Sequence, residues 1–353
     1  MERLDDMKYI SRLDRSRMRG LIGNMPGQFA QASRAFSEAG MDIKGSYSSV
    51  VVVGMGGSAI GGDLAGSYFL DDLRVPLHVV RDYRIPAFVS DDTLLLAVSY
   101  SGNTEETLSA LKEAEEKGSR VVCIGSGGVL LEMARSNSHP FLTVPSGMPP
   151  RCALSHIATY IVLSVSAAFG LGTAARDIEE AGEVLGAMKQ VLNVAVPSKE
   201  NAAKEVALRC AQRLPVVYSS TRITDPVARR WSTQINENAK SLCHYNGLPE
   251  IDHNEIVGWG LPREVSYGSF VVFLDPGDLS SRLERRLKVT KGLISDIAEV
   301  QTVTAQGSGR LARIFSLVYF GDYVSFYLAM LNGVDPTPIE RIDYLKKKIK
   351  EED

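Results

Sequence analysis

The feature that most limits the fold of this chain is a series of short, strongly apolar segments, each followed by a turn and a helical pattern. Four of them lie in the first half, at Ser49–Val53, Leu77–Val80, Thr93–Ser99 and Arg120–Ile124. Their length and their content of Val, Ile and Leu are typical of strands that are buried on both faces. Because helical stretches separate them, we predict a parallel sheet covered by helices on both faces.

The second half repeats this alternation. Apolar segments lie at Leu214–Tyr218, Phe270–Leu274 and Ala298–Val303, again separated by helical patterns. A long apolar helix candidate closes each half, Leu154–Leu171 in the first and Ile314–Leu331 in the second. We therefore predict an α/β protein with two related domains, each a parallel sheet flanked by helices in an αβα sandwich.

The domain boundary is expected between Gly172 and Pro197, in a polar, Ala-rich helical connector. This places an N-terminal domain at residues 1–172 and a C-terminal domain at residues 173–353. A chain of 353 residues is long enough for two hydrophobic cores of ordinary size.

Composition excludes several classes of protein. The formal charge is −3, with 39 Lys and Arg against 42 Asp and Glu, whereas a nucleic-acid binder usually has a strongly basic region. Four scattered cysteines without a CxxC pair favour reduced thiols in a cytoplasm. The N-terminus has no apolar core for a signal peptide. The uncharged stretch 152–175 is diluted by Ser, Thr and Gly, so we predict a buried helix and no membrane partner.

Two loops that follow strands of the first half are suited to an anion. The glycine-rich loop Gly54–Gly62 lets the backbone approach a ligand closely, and amide groups at the start of the next helix attract negative charge. This loop alone also fits a dinucleotide fingerprint. The second loop contains the hydroxyls of Ser99, Ser101 and Thr104, which can converge on the oxygens of a dianion. An ordinary turn and helix cap is the alternative.

Together, the segments VVVGMGGSAIGGD and SYSGNTEET closely resemble the sugar isomerase (SIS) domain. In that family these two loops hold the phosphate of a phosphosugar. The resemblance implies a set of phosphate-binding residues, namely Gly56, Gly57, Ser58, Ser99, Ser101 and Thr104.

Isomerisation of an aldose phosphate needs a base, a cation beside the developing charge and a group that moves the ring proton. Glu237 lies near the end of a helical stretch, and His253 follows after an expected turn at Asn246–Pro249. Arg151 follows two prolines, which stiffen the backbone before it. Taken singly, a solvated carboxylate, a structural histidine and a surface arginine are the alternatives.

The segments QINENAK, LPEIDHNEIVGW and GVDPTPIERIDYLKKKI resemble the bifunctional phosphoglucose/phosphomannose isomerases, a branch of the SIS superfamily, so that the resemblance covers nearly the whole chain. It implies that Glu237 is the proton-shuttling base and that Arg151 faces the enediolate. It also implies that His253 opens the ring in the partner subunit's site of a homodimer. Lys346 would be the C-terminal active-site lysine, with Lys347 and Lys348 as neighbours in an uncertain register.

The expected reaction needs no cofactor and no metal. The five histidines show no HxH or HExxH spacing, which separates this chain from zinc-dependent isomerases. We expect a cytoplasmic enzyme that interconverts glucose 6-phosphate and mannose 6-phosphate with fructose 6-phosphate through an enediolate. An isomerase of another phosphosugar, a non-catalytic phosphosugar-binding regulator and a dinucleotide-dependent oxidoreductase are the alternatives.

Overall fold

The structure is a computed structural model that describes residues 2–352. The strands in this range are β1 Ser49–Val53, β2 Leu77–Val80, β3 Thr93–Ser99, β4 Arg120–Gly125, β5 Phe141–Thr143, β6 Leu214–Ser219, β7 His244–Gly247, β8 Ser269–Asp275 and β9 Glu299–Thr304. They form two sheets in which every neighbouring pair is parallel, with the orders β2-β1-β3-β4-β5 and β7-β6-β8-β9.

Helices follow most of the strands. They are α1 Glu2–Asp5, α2 Met7–Leu13, α3 Met18–Gly23, α4 Met25–Ala39, α5 Gly56–Tyr68, α6 Glu105–Glu116, α7 Gly128–Ser136, α8 Leu154–Phe169, α9 Ala174–Leu192, α10 Ala202–Cys210, α11 Asp225–Ala239, α12 Arg263–Tyr267, α13 Ser281–Ser295, α14 Arg310–Asn332 and α15 Glu340–Glu352. Short 3₁₀ turns lie at Pro150–Cys152, Glu250–His253 and Glu255–Gly258.

Alternate residues of each strand lie in different cores, as the period of a strand requires. On β1, Val50 and Val52 belong to the main core of the molecule, whereas Val51 and Val53 belong to a second core formed with α6 and α7. On β8, Val272 joins the main core and Val271 joins a third core against α13. Both sheets are therefore covered by helices on both faces, and the predicted αβα architecture is confirmed.

The two domains share the main core, which contains buried residues from both halves of the chain. Helix α14 lies at its centre, packed against α9, α10 and α11. A buried ion pair joins α11 to α14, with Arg230 Nη2 2.7 Å from Asp322 Oδ2. Because such a pair is costly to separate, it holds α11 at a fixed position against the core.

The predicted strands agree with the observed ones to within a residue or two, but two short strands were not predicted. These are β5 (FLT) and β7 (HYNG). The expected turn at Asn246–Pro249 was wrong at its start, because Asn246 and Gly247 end β7. This polar strand has no alternating apolar pattern and is defined by its pairing with β6, where Val216 lies opposite His244.

Two apolar helices raised the question of a membrane span. Helix α8 lies within the uncharged stretch 152–175, and almost all of its residues are buried, as predicted. Within residues 2–352, α14 alone has the length and mean hydropathy of a span, and 94% of its apolar stretch is buried inside the protein. The proposed domain boundary falls just before α9 and stays a prediction.

Candidate active site

The glycine-rich loop leads directly from β1 into α5. Gly56 has φ +49°, a conformation that favours glycine, and no side chain caps the N-terminus of α5. Gly57 and Ser58 lie in the first turn of this helix. The Ser58 amide donates to the Met55 carbonyl at 3.0 Å, and no side chain accepts the amides that open α5, so this helix start is suited to an anion.

The hydroxyl loop follows β3, the neighbour of β1. The hydroxyls of Ser99 and Thr104 lie 2.8 Å apart, and the Ser99 hydroxyl also accepts the Gly102 amide at 3.1 Å. The Tyr100 amide donates to the Ser58 hydroxyl at 3.3 Å, which connects this loop to the glycine-rich loop. Ser101 is exposed, and its hydroxyl accepts the Asn103 amide at 3.3 Å. The two loops thus form one contiguous surface, as predicted from their positions at adjacent strand ends.

Arg151 lies in the 3₁₀ turn before α8, and its side chain is only 4% exposed. Its Nε donates to Asn238 Oδ1 at 2.7 Å, and Nη2 donates to the carbonyls of Pro336 and Thr337 at 2.8 and 2.9 Å. Its own carbonyl accepts Nη2 of Arg230 at 3.0 Å. These contacts fix the plane of the guanidinium.

Glu237 lies in the last turn of α11 and faces Arg151, with Oε2 3.2 Å from Nη1. Its side chain is 28% exposed, so solvent reaches the carboxylate, whereas the arginine is nearly sealed. The two residues come from different domains and are 86 positions apart in the chain. The structure therefore brings together two of the residues proposed to act on the substrate.

The glycine-rich loop packs against the backbone of Arg151. A Cβ at Gly57 would lie 3.4 Å from Cα of Arg151, which shows that the first turn of α5 packs against the backbone of the arginine. An anion held at the start of α5 would consequently lie next to the Arg151–Glu237 pair. This arrangement suits a ligand with a charged end and a reactive carbon chain.

Lys240 also lies beside the Arg151–Glu237 pair, and it was not predicted from the sequence. It follows α11 with φ +54°, and its Nζ donates to the carbonyls of Glu237 and Pro336 at 2.6 and 3.2 Å. Burial, and secondly the charge of Arg151, lowers the pKa of Lys240 to about 8. In the sequence, Lys240 is notable only for lying three residues after Glu237, and this spacing does not indicate a contact with the distant Pro336 carbonyl.

His253 and Lys346 lie apart from the pair. His253 ends the 3₁₀ turn Glu250–His253 and is exposed; within residues 2–352 its side chain forms no hydrogen bond or ion pair. Lys346 is exposed on α15 and, in the same described range, is also unpaired, whereas Lys347 and Lys348 approach Glu351. The roles assigned to these and the other site residues stay predictions.

The described part of the chain contains no group of three or more His, Cys, Asp or Glu side chains that would hold a metal ion. His156 is buried in α8, and burial lowers its pKa to about 4. The expectation of a metal-free and cofactor-free reaction stays a prediction that a chelator can test.

Two parallel sheets, with a glycine-rich loop after strand β1 of the first sheet, are typical of proteins of the SIS class. Residues 46–144 match the model of the SIS domain, and residues 199–349 match that of the bacterial phospho-glucose isomerase C-terminal SIS domain. A solved structure of a hypothetical protein from Thermus thermophilus superposes with a TM-score of 0.74, covering 97% of this chain and 93% of that one at 16% identity. That likeness supports the fold alone.

The similarity to named relatives is closer. A bifunctional phosphoglucose/phosphomannose isomerase of Caldicellulosiruptor bescii is 40% identical over 94% of this chain and 98% of its own length. One from Aquifex aeolicus is 37% identical over 86% of this chain and 91% of its own. The chain belongs to the bifunctional phosphoglucose/phosphomannose isomerase family.

Proposed function

We propose that this chain is an aldose–ketose isomerase that interconverts glucose 6-phosphate and mannose 6-phosphate with fructose 6-phosphate. The observation that carries the proposal is the Arg151–Glu237 pair, 3.2 Å apart, lying beside the first turn of α5. A hexose phosphate whose phosphate sits on the two loops extends its carbon chain towards this pair. Membership of the family supports the same substrate.

The chemistry follows from the groups at the pair. Glu237 takes the proton from C2 of the open-chain aldose and returns it to C1, while a hydroxyl proton moves between O1 and O2, so that an enediolate is the intermediate. Glucose and mannose differ only at C2. Because the enediolate is planar there, a proton delivered to either face yields either epimer.

Arg151 stabilises the charge that develops on the enediolate oxygens. A guanidinium remains protonated throughout the cycle, and its orientation is fixed before the substrate binds. Three of its contacts reach neutral acceptors, on Asn238, Pro336 and Thr337, which leaves Nη1 directed at the carboxylate of Glu237. Because a 3.2 Å contact leaves no room between the two side chains, the reacting carbons and oxygens would lie against the solvent-exposed side of the pair.

His253 is proposed to act in the partner subunit's site of a homodimer, where it moves the proton between the C1 hydroxyl and the ring oxygen. Its exposure supports this role, because a side chain that acts in another subunit's site must be accessible on the surface of its own subunit. Lys346, on the equally exposed α15, is proposed to reach a site in the same assembly, and the enzyme is proposed to be cytoplasmic.

Turnover of the purified chain tests the function. We expect fructose 6-phosphate to form from both glucose 6-phosphate and mannose 6-phosphate, unaffected by EDTA and without NAD. Glucosamine 6-phosphate and a pentose 5-phosphate serve as competing substrates for the alternative isomerase activities. Tight binding of hexose phosphate without any turnover would instead favour the non-catalytic regulator.

Subunit complementation tests the shared site. His253→Asn and Glu237→Gln should each be inactive as homodimers, and co-expression should restore roughly a quarter of the wild-type activity. Half of the dimers are then mixed, and each mixed dimer has one intact site. Absence of recovery, with mixed dimers shown by differently tagged chains, would place His253 in its own subunit's site or outside any site.

A further inference from the structure

An exposed histidine must be held in place if it is to act on a substrate, because catalysis falls steeply when a reacting group is misplaced. The side chain of His253 forms no hydrogen bond within the described range, residues 2–352. The residues Glu250–Gly258, here called the His253 segment, are two consecutive 3₁₀ turns. Short turns of this kind have little stability of their own, so their position depends on contacts to neighbouring elements.

The first contact is made by Glu255, two residues after the histidine. Its carboxylate accepts hydrogen bonds from Nε2 of His244 at 2.9 Å, from Nδ2 of Asn246 at 2.6 Å and from the Tyr218 hydroxyl. Trp259 Nε1 donates to the same hydroxyl at 3.1 Å. These partners, apart from Trp259, belong to β6 and β7, so Glu255 ties the segment to the second sheet.

Glu255 is ionised in the folded chain at neutral pH. Burial acts to raise its pKa, but the hydrogen bonds from His244, Tyr218 and Asn246 outweigh burial and lower the pKa to about 2. The carboxylate therefore accepts all three bonds at any pH at which an enzyme of this class would work.

The second contact is made by Asp252, the residue before the histidine. Its two carboxylate oxygens accept from the Thr290 hydroxyl and from Nη1 of Arg286, each at 2.8 Å. Both partners lie on α13. Directly before Asp252 in the chain, Ile251 is 1% exposed in the third core. The segment is thus attached to a helix on one side of His253 and to a sheet on the other.

We propose that Glu255 and Asp252 are positioning residues that hold the His253 segment so that the imidazole projects from the surface in one orientation. The proposal rests on the proposed function, in which His253 opens the sugar ring. Neither carboxylate touches the substrate. Loss of either one should slow ring opening and leave proton transfer by Glu237 unchanged.

The test measures the two steps separately. Exchange between the α and β anomers of glucose 6-phosphate, followed by NMR, reports ring opening. Exchange of a C1 hydrogen of fructose 6-phosphate with deuterium from the solvent reports proton abstraction by Glu237. Glu255→Ala and Asp252→Ala are made in the wild-type chain and in His253→Asn, with Glu264→Ala on α12 as an exposed carboxylate control.

We expect Glu255→Ala to slow anomer exchange about ten- to a hundredfold in the wild-type background and to have no further effect in His253→Asn. Glu255→Gln keeps an acceptor for Tyr218 and Asn246 and should recover most of the rate. If Glu255→Ala does not fold, Tyr218→Phe removes one bond of the same carboxylate and should slow anomer exchange to a smaller extent.

Three distinct results would overturn the proposal. If His253→Asn slows anomer exchange but the Glu255 and Asp252 variants do not, the positioning role is wrong and the proposed function stands. If His253→Asn leaves anomer exchange unchanged, the role of His253 in the proposed function fails and the positioning role fails with it. An equal effect of Glu255→Ala in both backgrounds would also show that Glu255 does not act through His253.

Discussion

In both the N-terminal and the C-terminal domain an interior strand of the sheet leads into a helix, but the first residues of that helix differ between the two domains. Strand β1 leads into α5, and β6 leads into α11. At α5 the first residues are glycines and no side chain caps the helix. At α11 the first residue is Asp225, whose carboxylate accepts the Ser219 hydroxyl. The amides of Ser220 and Thr221 donate to the Thr224 hydroxyl oxygen at 3.1 and 3.2 Å.

The second domain therefore supplies its own anion where the first leaves room for a ligand. A carboxylate at the first turn interacts favourably with the positive end of the helix dipole, as a bound phosphate would. The candidate active site lies at the opposite, C-terminal end of α11, where Glu237 contacts Arg151. Under the proposed function, one domain would contribute the phosphate site and the other the base, although both have the same architecture.

The largest effect is expected at the carboxyl end of α11. Glu237→Gln preserves the shape of the side chain and removes the base, so kcat should fall about a hundred- to ten-thousandfold while substrate affinity changes little. Deuterium exchange at C2 measures the step directly. Glu284→Gln, an exposed carboxylate on α13, is the control. Retained exchange in Glu237→Gln would show that another residue abstracts the proton.

A pair of matched substitutions separates the two loops. Thr104→Val removes a hydroxyl proposed to bind phosphate and should raise KM about tenfold, the effect of losing one hydrogen bond to a charged group. Thr224→Val removes the acceptor of two amides in the corresponding loop of the second domain. It should lower the free energy of unfolding by about 1–3 kcal/mol with KM unchanged. Similar changes in KM for both variants would contradict the contrast between the domains.

Internal carboxylates should make the second domain sensitive to acid. The pKa of Glu255 lies at about 2 in the folded chain, below the ordinary value of 4.5. Its stabilising contribution is therefore complete above pH 4.5 and is lost as the pH falls towards 2. Glu255→Gln should show a smaller loss of unfolding free energy between pH 7 and pH 3 than the wild type, measured with urea. Glu264→Gln should behave as the wild type, and an unchanged slope in Glu255→Gln would refute the assignment.

The smallest effect is expected at Asp225. Asp225→Asn keeps an acceptor for Ser219 but removes the charge at the start of α11. Because burial raises the pKa of Asp225 and so opposes the favourable helix dipole, the free energy of unfolding should change by less than about 1 kcal/mol. kcat/KM should stay within about twofold of the wild type, since small surface changes have little effect elsewhere. Calorimetric titration with inorganic phosphate should still give one site per chain. A second phosphate bound by the variant would show that the loop amides are available despite Thr224.

Much of the first domain could be predicted because its signals are local. Residues 99–104 lie within one turn, and the bond between the Ser99 and Thr104 hydroxyls needs only that turn to form. The buried strands were visible because each is a short run of apolar residues. Strand β7 was not predicted because its four residues are mostly polar and none of them is buried. It is a strand because it pairs with the neighbouring β6.

Most residues of the candidate active site could be predicted from the sequence, but the contacts between them could not. Glu237 and Arg151 were identified through a family resemblance, and nothing in the chain order indicates that the two are 3.2 Å apart. Lys240 and the Pro336 carbonyl were missed for the same reason, since 96 positions separate them. The two anchors of the His253 segment depend equally on distant partners, at Arg286 and Tyr218.

The amino-acid order alone determined which segments become strands and helices, where the glycine and hydroxyl loops lie, and which family the chain resembles. These properties arise from short-range preferences and from the period of apolar residues. Only the tertiary structure decided that the last turn of α11 meets Arg151, that Lys240 shares a carbonyl with that arginine, and that His253 faces outward. Such contacts join residues far apart in the chain, and their geometry follows from how the shared core packs the two domains around α14.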